Sequence, residues 1–359
     1  MKIHELLSAM AKYEASDLHL KVAQPPVYRV KGDLVRLKSA PLSDGDLETL
    51  LMPLITGRNR EEFDKRGYAD FSVGIDGVGR FRCNVYKQRA SLSAAIRRVK
   101  PNVPSYQELG LPAQIARLAE LEQGLVLVGG ITGSGKSTTI ASVLNDINRN
   151  RRVHIITIED PIEYVFADDK AIINQRELGL DVATFEDALR SAVREDPDVM
   201  LLGEMRDAET VETALTAAET GHLVFGTIHS SNSASTIGRI MDLFDPAKHE
   251  SLRTGLAFNL RCILNQKLLR GIDGRMVPVV EVMFITPIIK KLILDKEDTR
   301  IAEALAKDKD SGNEDFNRAL HRLVQEKRLD AETALGASAQ PEALRMLMRG
   351  ISISDGGIV

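Results

Sequence analysis

The spacing of apolar residues changes once along the chain, near residue 100, and the change divides the chain in two. Ile3, Leu6, Leu7 and Met10 recur at helical spacing, predicting an amphipathic helix ahead of Ser16-Asp17-Leu18-His19-Leu20. Two short alternating runs, Val27–Val30 and Leu34–Leu37, flank Lys31-Gly32-Asp33 and read as a hairpin. Leu42–Ile55 returns to helical spacing with Ser43 as its N-cap, and strand-like runs follow at Ala69–Ile75, Gly79–Tyr86 and Ser91–Val99. Lys100-Pro101-Asn102-Val103-Pro104-Ser105 then breaks the pattern. The expected organisation is a small α+β domain over 1–100, a linker over 101–112 and a second domain over 113–359.

Beyond the linker the rhythm is strand, then helix, repeated. Leu125–Gly129 reads as a strand and Lys136–Asn148 as a helix; Val153–Ile158 is the next strand. Thr184–Glu195 is helical, with Thr184 and Asp187 at capping-box spacing. Asp198–Leu202 is a strand, Asp207–Thr220 a helix and His222–Ile228 a strand. Such alternation implies a parallel sheet covered on both faces. Asp295–Asn313, dense in mixed charge, reads as a solvated connection, and Phe316–Leu323 and Glu342–Met348 as closing helices.

Composition supports this picture and narrows the function. A length of 359 residues suits two domains. With 43% hydrophobic and 27% charged residues the chain is neither disordered, collagenous nor a disulfide scaffold. Its two cysteines, Cys83 and Cys262, form no CxxC, which excludes a zinc ribbon and suits a reducing compartment. No apolar run approaches the roughly 20 residues of a membrane span. The opening residues lack a signal-peptide core. A pI near 6.0 argues against a strongly basic nucleic-acid binder. The charge is uneven: residues 1–100 carry a net +6 and the remainder −10.

Gly130-Ile131-Thr132-Gly133-Ser134-Gly135-Lys136-Ser137 fits GxxxxGK[ST] between a predicted strand and a predicted helix. Glycines let such a loop curl so that backbone N–H groups point at phosphate oxygens, while the new helix adds its positive end. Thr132, Gly133, Ser134, Gly135, Lys136, Ser137 and Thr138 are the candidate nucleotide-binding residues. Lys136 would reach the β- and γ-phosphates of ATP, and the Ser137 hydroxyl would supply a ligand to Mg²⁺.

In a parallel sheet all carboxyl ends share one edge, where ligands bind. Glu159, Asp160 and Glu163 follow the second strand, Glu204 the third and His229 the fourth. A carboxylate ending an apolar strand can hold Mg²⁺ or its water; Glu204 stands there in place of the usual Asp. A base that activates water must sit near the γ-phosphate, and Glu163 or Glu159 would suit.

The segments ASDLHL (15–20), ITGSGKSTT (131–139), TIEDPIEYV (157–165), INQRELGLD (173–181), REDPDVMLLGEMRDAET (194–210) and TAAETGHLVFGTIH (216–229) resemble the pilus retraction ATPases of the type II/IV secretion superfamily. The resemblance implies a two-domain fold, with a PAS-like α+β N-terminal domain and a RecA-like α/β P-loop NTPase C-terminal domain. It implies a homo-hexameric motor at the cytoplasmic face of the inner membrane, held there only through partners. ATP hydrolysis would drive pilin disassembly and twitching motility. An inner-membrane platform protein and a paralogous retraction ATPase would be its partners.

By motif, the resemblance assigns Glu159 and Glu163 to an acidic box, Glu204 to an atypical Walker B site and His222 with His229 to a histidine box. It makes Glu163 the hydrolytic base and His229 the γ-phosphate sensor, and adds Arg82 and Arg97 from the N-terminal domain. Ile131 stands where many relatives have Pro, at a position supplying no catalytic group. Pro287–Ile293 loosely follows the AIRNLIRE-type element of retraction motors, and the tail from 335 to 359 resembles the accessory branch. The sequence therefore allows a retraction motor, an accessory retraction ATPase or a nucleotide-binding regulatory module with little turnover. Intact Lys136, Glu163, Glu204 and His229 count against the last. Aromatic residues at 4% and an acidic second domain disfavour a nucleic-acid translocase. In a ring, the basic first domain would meet the acidic second domain of a neighbour.

Overall fold

The computed structural model describes residues 2–30, 32–99, 102–308 and 310–350, which form two compact units. The first takes in the residues up to Asn102 together with Pro161–Phe166 and Glu177–Ala183; the second takes the described remainder. Lys31 of the expected hairpin turn, Lys100 and Pro101 of the expected linker, Lys309, and the tail from 351 lie outside the described residues.

The first unit is a six-stranded antiparallel sheet. Its strands are β1 (Ala15–Lys21), β2 (Val27–Val30), β3 (Asp33–Arg36), β4 (Tyr68–Ile75), β5 (Gly79–Gln88) and β6 (Ser91–Arg98), in the order β3-β2-β1-β6-β5-β4. Register puts Leu18, Ile96, Cys83 and Phe71 in one row across β1, β6, β5 and β4. These side chains are buried with Leu6, Leu7 and Met10 of helix Ile3–Lys12 and with Leu47, Leu50 and Leu51 of helix Asp44–Leu51. Each large apolar side chain buried this way contributes about 1.5–3 kcal/mol relative to exposure. The adjacent row, Asp17, Arg97, Arg82 and Ser72, faces the other way, because strand side chains alternate.

Ser43 caps its helix by accepting from the Asp46 amide. The helix is shorter than the expected Leu42–Ile55: it ends at Leu51, and Met52–Leu54 forms a 3₁₀ turn around Pro53, which has no N–H to continue the ladder. Helix Gly57–Arg66 was not legible in the sequence, because among its described residues only Phe63 is a buried hydrophobic. On the polar side of the sheet, Glu177 is 4% exposed. It accepts from Ser72 Oγ at 2.7 Å, Arg80 Nη2 at 3.0 Å and the Ile162 amide at 3.1 Å. These bonds hold Pro161–Phe166 and Glu177–Ala183 within the first unit.

The second unit is built on β7 (Gly124–Gly129), β8 (His154–Glu159), β9 (Ile172–Glu177), β10 (Val199–Leu202), β11 (Leu223–Ile228), β12 (Leu260–Arg270) and β13 (Met276–Phe284). The order is β13-β12-β7-β11-β10-β8-β9. As the alternation implied, β7, β11, β10 and β8 are mutually parallel; β12 joins β7 in parallel and β13 returns antiparallel. β7, β10 and β11 are buried along their whole length, which explains their apolar runs, interrupted by the buried Thr227 in β11. The β12–β13 hairpin escaped sequence reading because polar Asn265 and Gln266 interrupt β12, yet both are buried.

Two stretches differ from expectation. Residues 103–112 carry the helix Tyr106–Leu109, capped by Ser105, and pack in the second unit. Asp295–Asn313 is not simply a solvated connection: it holds a 3₁₀ turn, Asp298–Arg300, and the helix Ile301–Lys307. That helix buries Ile301 and Leu305, a lone i,i+4 apolar pair that surrounding charges concealed. The closing helices Phe316–Gln325 and Pro341–Met348 are present, joined by Ala331–Ala337, and they cover Val277 and Val279 of β13 with a small core of their own.

Glu177→Ala should strip Arg80 and the Ile162 amide of their shared acceptor and lower stability by about 2–3 kcal/mol in urea unfolding. An unchanged midpoint would mean that the 161–166 segment is held by other contacts.

Candidate phosphate site

The site forms where the parallel strands end. Leu202 lies opposite both Gly226 and Ile158, while Gly129 lies opposite Ile228 and Asn265. Extending that register brings Glu204 level with Ile228 and Gly129, with His229 one residue beyond. β7 runs into the loop Gly130–Gly135, and helix Lys136–Asn150 starts there with Gly135 as its N-cap and no side-chain cap. Gly130, Gly133 and Gly135 have φ of +147°, +78° and +89°. A Cβ on Gly130 would lie 2.4 Å from Ser134 Oγ and one on Gly135 2.7 Å from Gln266 Nε2, so only glycine allows this curl.

Within the loop, Lys136 Nζ donates to the carbonyls of Gly130 at 2.8 Å and Ile131 at 3.1 Å, which fixes its charge at the loop mouth. Ser134 Oγ is buried without a hydrogen-bond partner among the described residues. Ser137 lies half-buried in the first helical turn. A curled, glycine-cornered backbone, an uncapped helix start, a lysine and an orphaned hydroxyl fit a phosphate group. Ser137 and Glu204 offer oxygen donors, the type a hard cation such as Mg²⁺ prefers.

Glu204 binds two partners. Arg206 Nη2 donates to Oε2 at 2.6 Å, and His229 Nε2 lies 3.1 Å from Oε1. The Arg206 hydrogen bond is the main cause that holds the Glu204 carboxyl below its usual range, with His229 and Lys136 adding to it. The loop that carries Glu204 is compact. Gly203 gives its carbonyl to Thr227 Oγ1, and a Cβ there would sit 2.9 Å from the Ile158 carbonyl. Glu159, 9% exposed, accepts from Thr157 Oγ1 at 2.7 Å and Gln175 Nε2 at 3.1 Å.

The fold thus gathers the phosphate loop, Glu204 and His229 at one edge. It sets His222 apart. His222 precedes β11 and His229 follows it, so the two histidines sit at opposite edges of the sheet; His222 Nδ1 lies 2.9 Å from the Ala217 carbonyl at a helix end. Glu159 belongs to the second unit and the exposed Glu163 to the first. Arg82 and Arg97 are direct cross-strand neighbours on β5 and β6, both exposed, and Arg97 Nε donates to Asp17 Oδ1 at 2.8 Å. Sequence reading missed Gln266 and Arg206 as parts of the site. Arg206 was legible only as the residue two beyond Glu204, whereas Gln266 lay in a strand with no visible period.

A P-loop between a parallel strand and a helix, faced by a carboxylate on a neighbouring strand end, defines a nucleoside-triphosphate-binding class of protein. Within that class the chain belongs to the type II/IV secretion system protein family, which matches residues 2–304. It is 41% identical to the type IV pilus retraction ATPase PilT of Pseudomonas aeruginosa, over 95% of this chain and 99% of that protein. It is 34% identical to the type IV pilus ATPase PilU of the same organism, over 99% of this chain and 93% of that one. A crystal structure of the pilus retraction motor PilT with bound ADP superposes with a TM-score of 0.89 at 42% identity, covering 96% of this chain and 99% of that one.

Removing the Arg206 guanidinium should let the Glu204 carboxyl titrate at higher pH. In an NMR titration of ¹³C-labelled glutamate, Arg206→Ala should move the Glu204 midpoint back toward the ordinary 4.5. The sign follows from linkage: a depressed carboxylate pKa stabilises the fold above the unfolded value and loses that contribution as pH falls through the folded one. An unmoved midpoint would place the cause elsewhere.

Proposed function

We propose that this chain is an ATPase motor that powers type IV pilus retraction by hydrolysing ATP. The observation that carries the reading is the near full-length 41% identity to PilT, with the phosphate-loop, Glu159–Glu163, Glu204 and His229 motifs in order. In this reading the first domain is PAS-like and the second RecA-like, six copies form the ring, and the ring works at the cytoplasmic face of the inner membrane. An inner-membrane platform protein and a paralogous ATPase are its partners. No helix among the described residues is long and apolar enough to cross a membrane.

The residues divide the work by their chemistry. Backbone donors of Thr132–Thr138 and the Lys136 ammonium bind the β- and γ-phosphates and hold them rigid. Ser137 and Glu204 would hold Mg²⁺, which when bound with ATP offsets charge on the phosphate oxygens. Glu163 is the base that orients and deprotonates the attacking water, and Glu159 is the other carboxylate of the acidic box. His229, tied to Glu204, senses the γ-phosphate. Arg82 and Arg97 offset transition-state charge from the first domain.

Lys136→Ala should weaken ATP binding and abolish turnover. Glu163→Gln, which keeps shape but loses the base, should retain binding and lose about 10²–10⁴ in kcat. Turnover of Glu163→Gln equal to the unmodified protein would transfer the role to another residue.

The cellular reading is tested by complementing a retraction-deficient deletion strain with this chain, with and without its nearest paralogue. Restored twitching without the paralogue is expected of a primary motor; restoration only in its presence would make the chain accessory.

A further inference from the structure

β12 reaches the phosphate site from the side of β7 away from β11. Asn265 lies opposite Gly129, the last residue of β7, so Gln266 is the first residue of β12 beyond that ladder. The two side chains point to opposite faces of the sheet and both are buried, at 1% and 3% exposure. Asn265 Oδ1 accepts from Ser230 Oγ at 2.9 Å, next to His229. Gln266 instead spans the phosphate loop. Its Nε2 donates to the Ser134 carbonyl at 2.8 Å, and its Oε1 accepts from Thr139 Oγ1 at 2.7 Å.

The bond to Ser134 has a consequence for the next amide. A trans peptide is planar, with its C=O and N–H pointing in opposite directions. Turning the Ser134 carbonyl toward Gln266 turns the Gly135 N–H away from it. Thr139 anchors the far end of the clasp in the helix, so the peptide is referenced to the helix whose amino end completes the cradle. Rotation of this peptide would bury the Ser134 carbonyl unpaired and remove a donor from the cradle.

We propose that Gln266 is a positioning residue for nucleotide binding, fixing the Ser134–Gly135 peptide so that the Gly135 N–H faces the phosphates. The proposal deepens the reading of this loop as an ATP site and rests on it.

The test uses the full-length protein, a fluorescent ADP analogue and steady-state ATP hydrolysis. Gln266→Met keeps the volume and loses both hydrogen bonds; it should weaken ADP binding and raise KM for ATP about tenfold, with a smaller change in kcat. Gln266→Glu adds a pH signature. Its buried carboxylate opposes the Ser134 carbonyl when ionised and donates to it when protonated. Its affinity, taken relative to the unmodified protein, should therefore recover several-fold from pH 8 to pH 6, while that of Gln266→Met stays level. Thr139→Val cuts the helical end of the clasp with Gln266 intact and should weaken ADP binding about threefold, which decides the matter if the Gln266 variants do not fold.

ADP binding by Gln266→Met within twofold of the unmodified protein would overturn the proposal, as would Gln266→Glu and Gln266→Met behaving alike at both pH values. Lys136→Ala serves as the reference. If it retains binding and turnover, the ATP-site reading itself fails; if it loses them while the Gln266 and Thr139 variants are silent, only the clasp fails.

Discussion

With β7 paired in parallel to β11 on one side and to β12 on the other, Gly129, Ile228 and Asn265 lie at one level, and the chemistry of the second unit is arranged around it. Parallel pairing imposes this on every strand, because a parallel ladder aligns carboxyl ends. A residue two beyond β10 and one beyond β11 then meet without any contact between them in sequence. Glu204 and His229 come within 3.1 Å this way, although 25 positions separate them in the chain. Shifting the register of β10 by one residue would turn Glu204 to the other face of the sheet.

The loop at that level places contrary demands on the backbone. It must curl tightly enough to aim amides at an anion, which the left-handed glycines Gly133 and Gly135 permit. It must also stay rigid, and glycine alone favours the opposite. The protein resolves this with groups outside the loop. Gln266 grips Ser134, Lys136 holds the Gly130 and Ile131 carbonyls, and Gly203 lets the Glu204 loop lie close against β8. Electrostatics work at the same edge: Arg206, His229 and Lys136 keep Glu204 ionised, and therefore an acceptor, at any pH near neutrality.

The first unit follows a different logic. Its antiparallel sheet has one apolar face covered by helices and one face carrying Asp17, Arg82, Arg97 and Glu177-bound Arg80. Asp17 is buried and kept ionised by Ser16 and Arg97 against the cost of that burial, so Arg97 is tethered rather than loose. Arg97 remains exposed beyond its bond to Asp17 and keeps donors available to an anion.

Features that depend on neighbours a few positions apart could be read along the chain. The phosphate loop, the capped helices behind Ser43 and Thr184, the helix from Asp207, and the apolar strands β7, β10 and β11 were all legible, since their period and caps are local. The carboxylates and His229 were legible as candidates because they follow such strands. Which of them meet depends on the fold. It parted His222 from His229 by the length of β11, assigned Glu163 and Glu159 to different units, and found a helix at Ile301–Lys307 where charge suggested a loop. It also drew Gln266 from 127 positions away onto Thr139. The physical reason is that side-chain hydrogen bonds between distant strands depend on register and strand order, which no local period encodes.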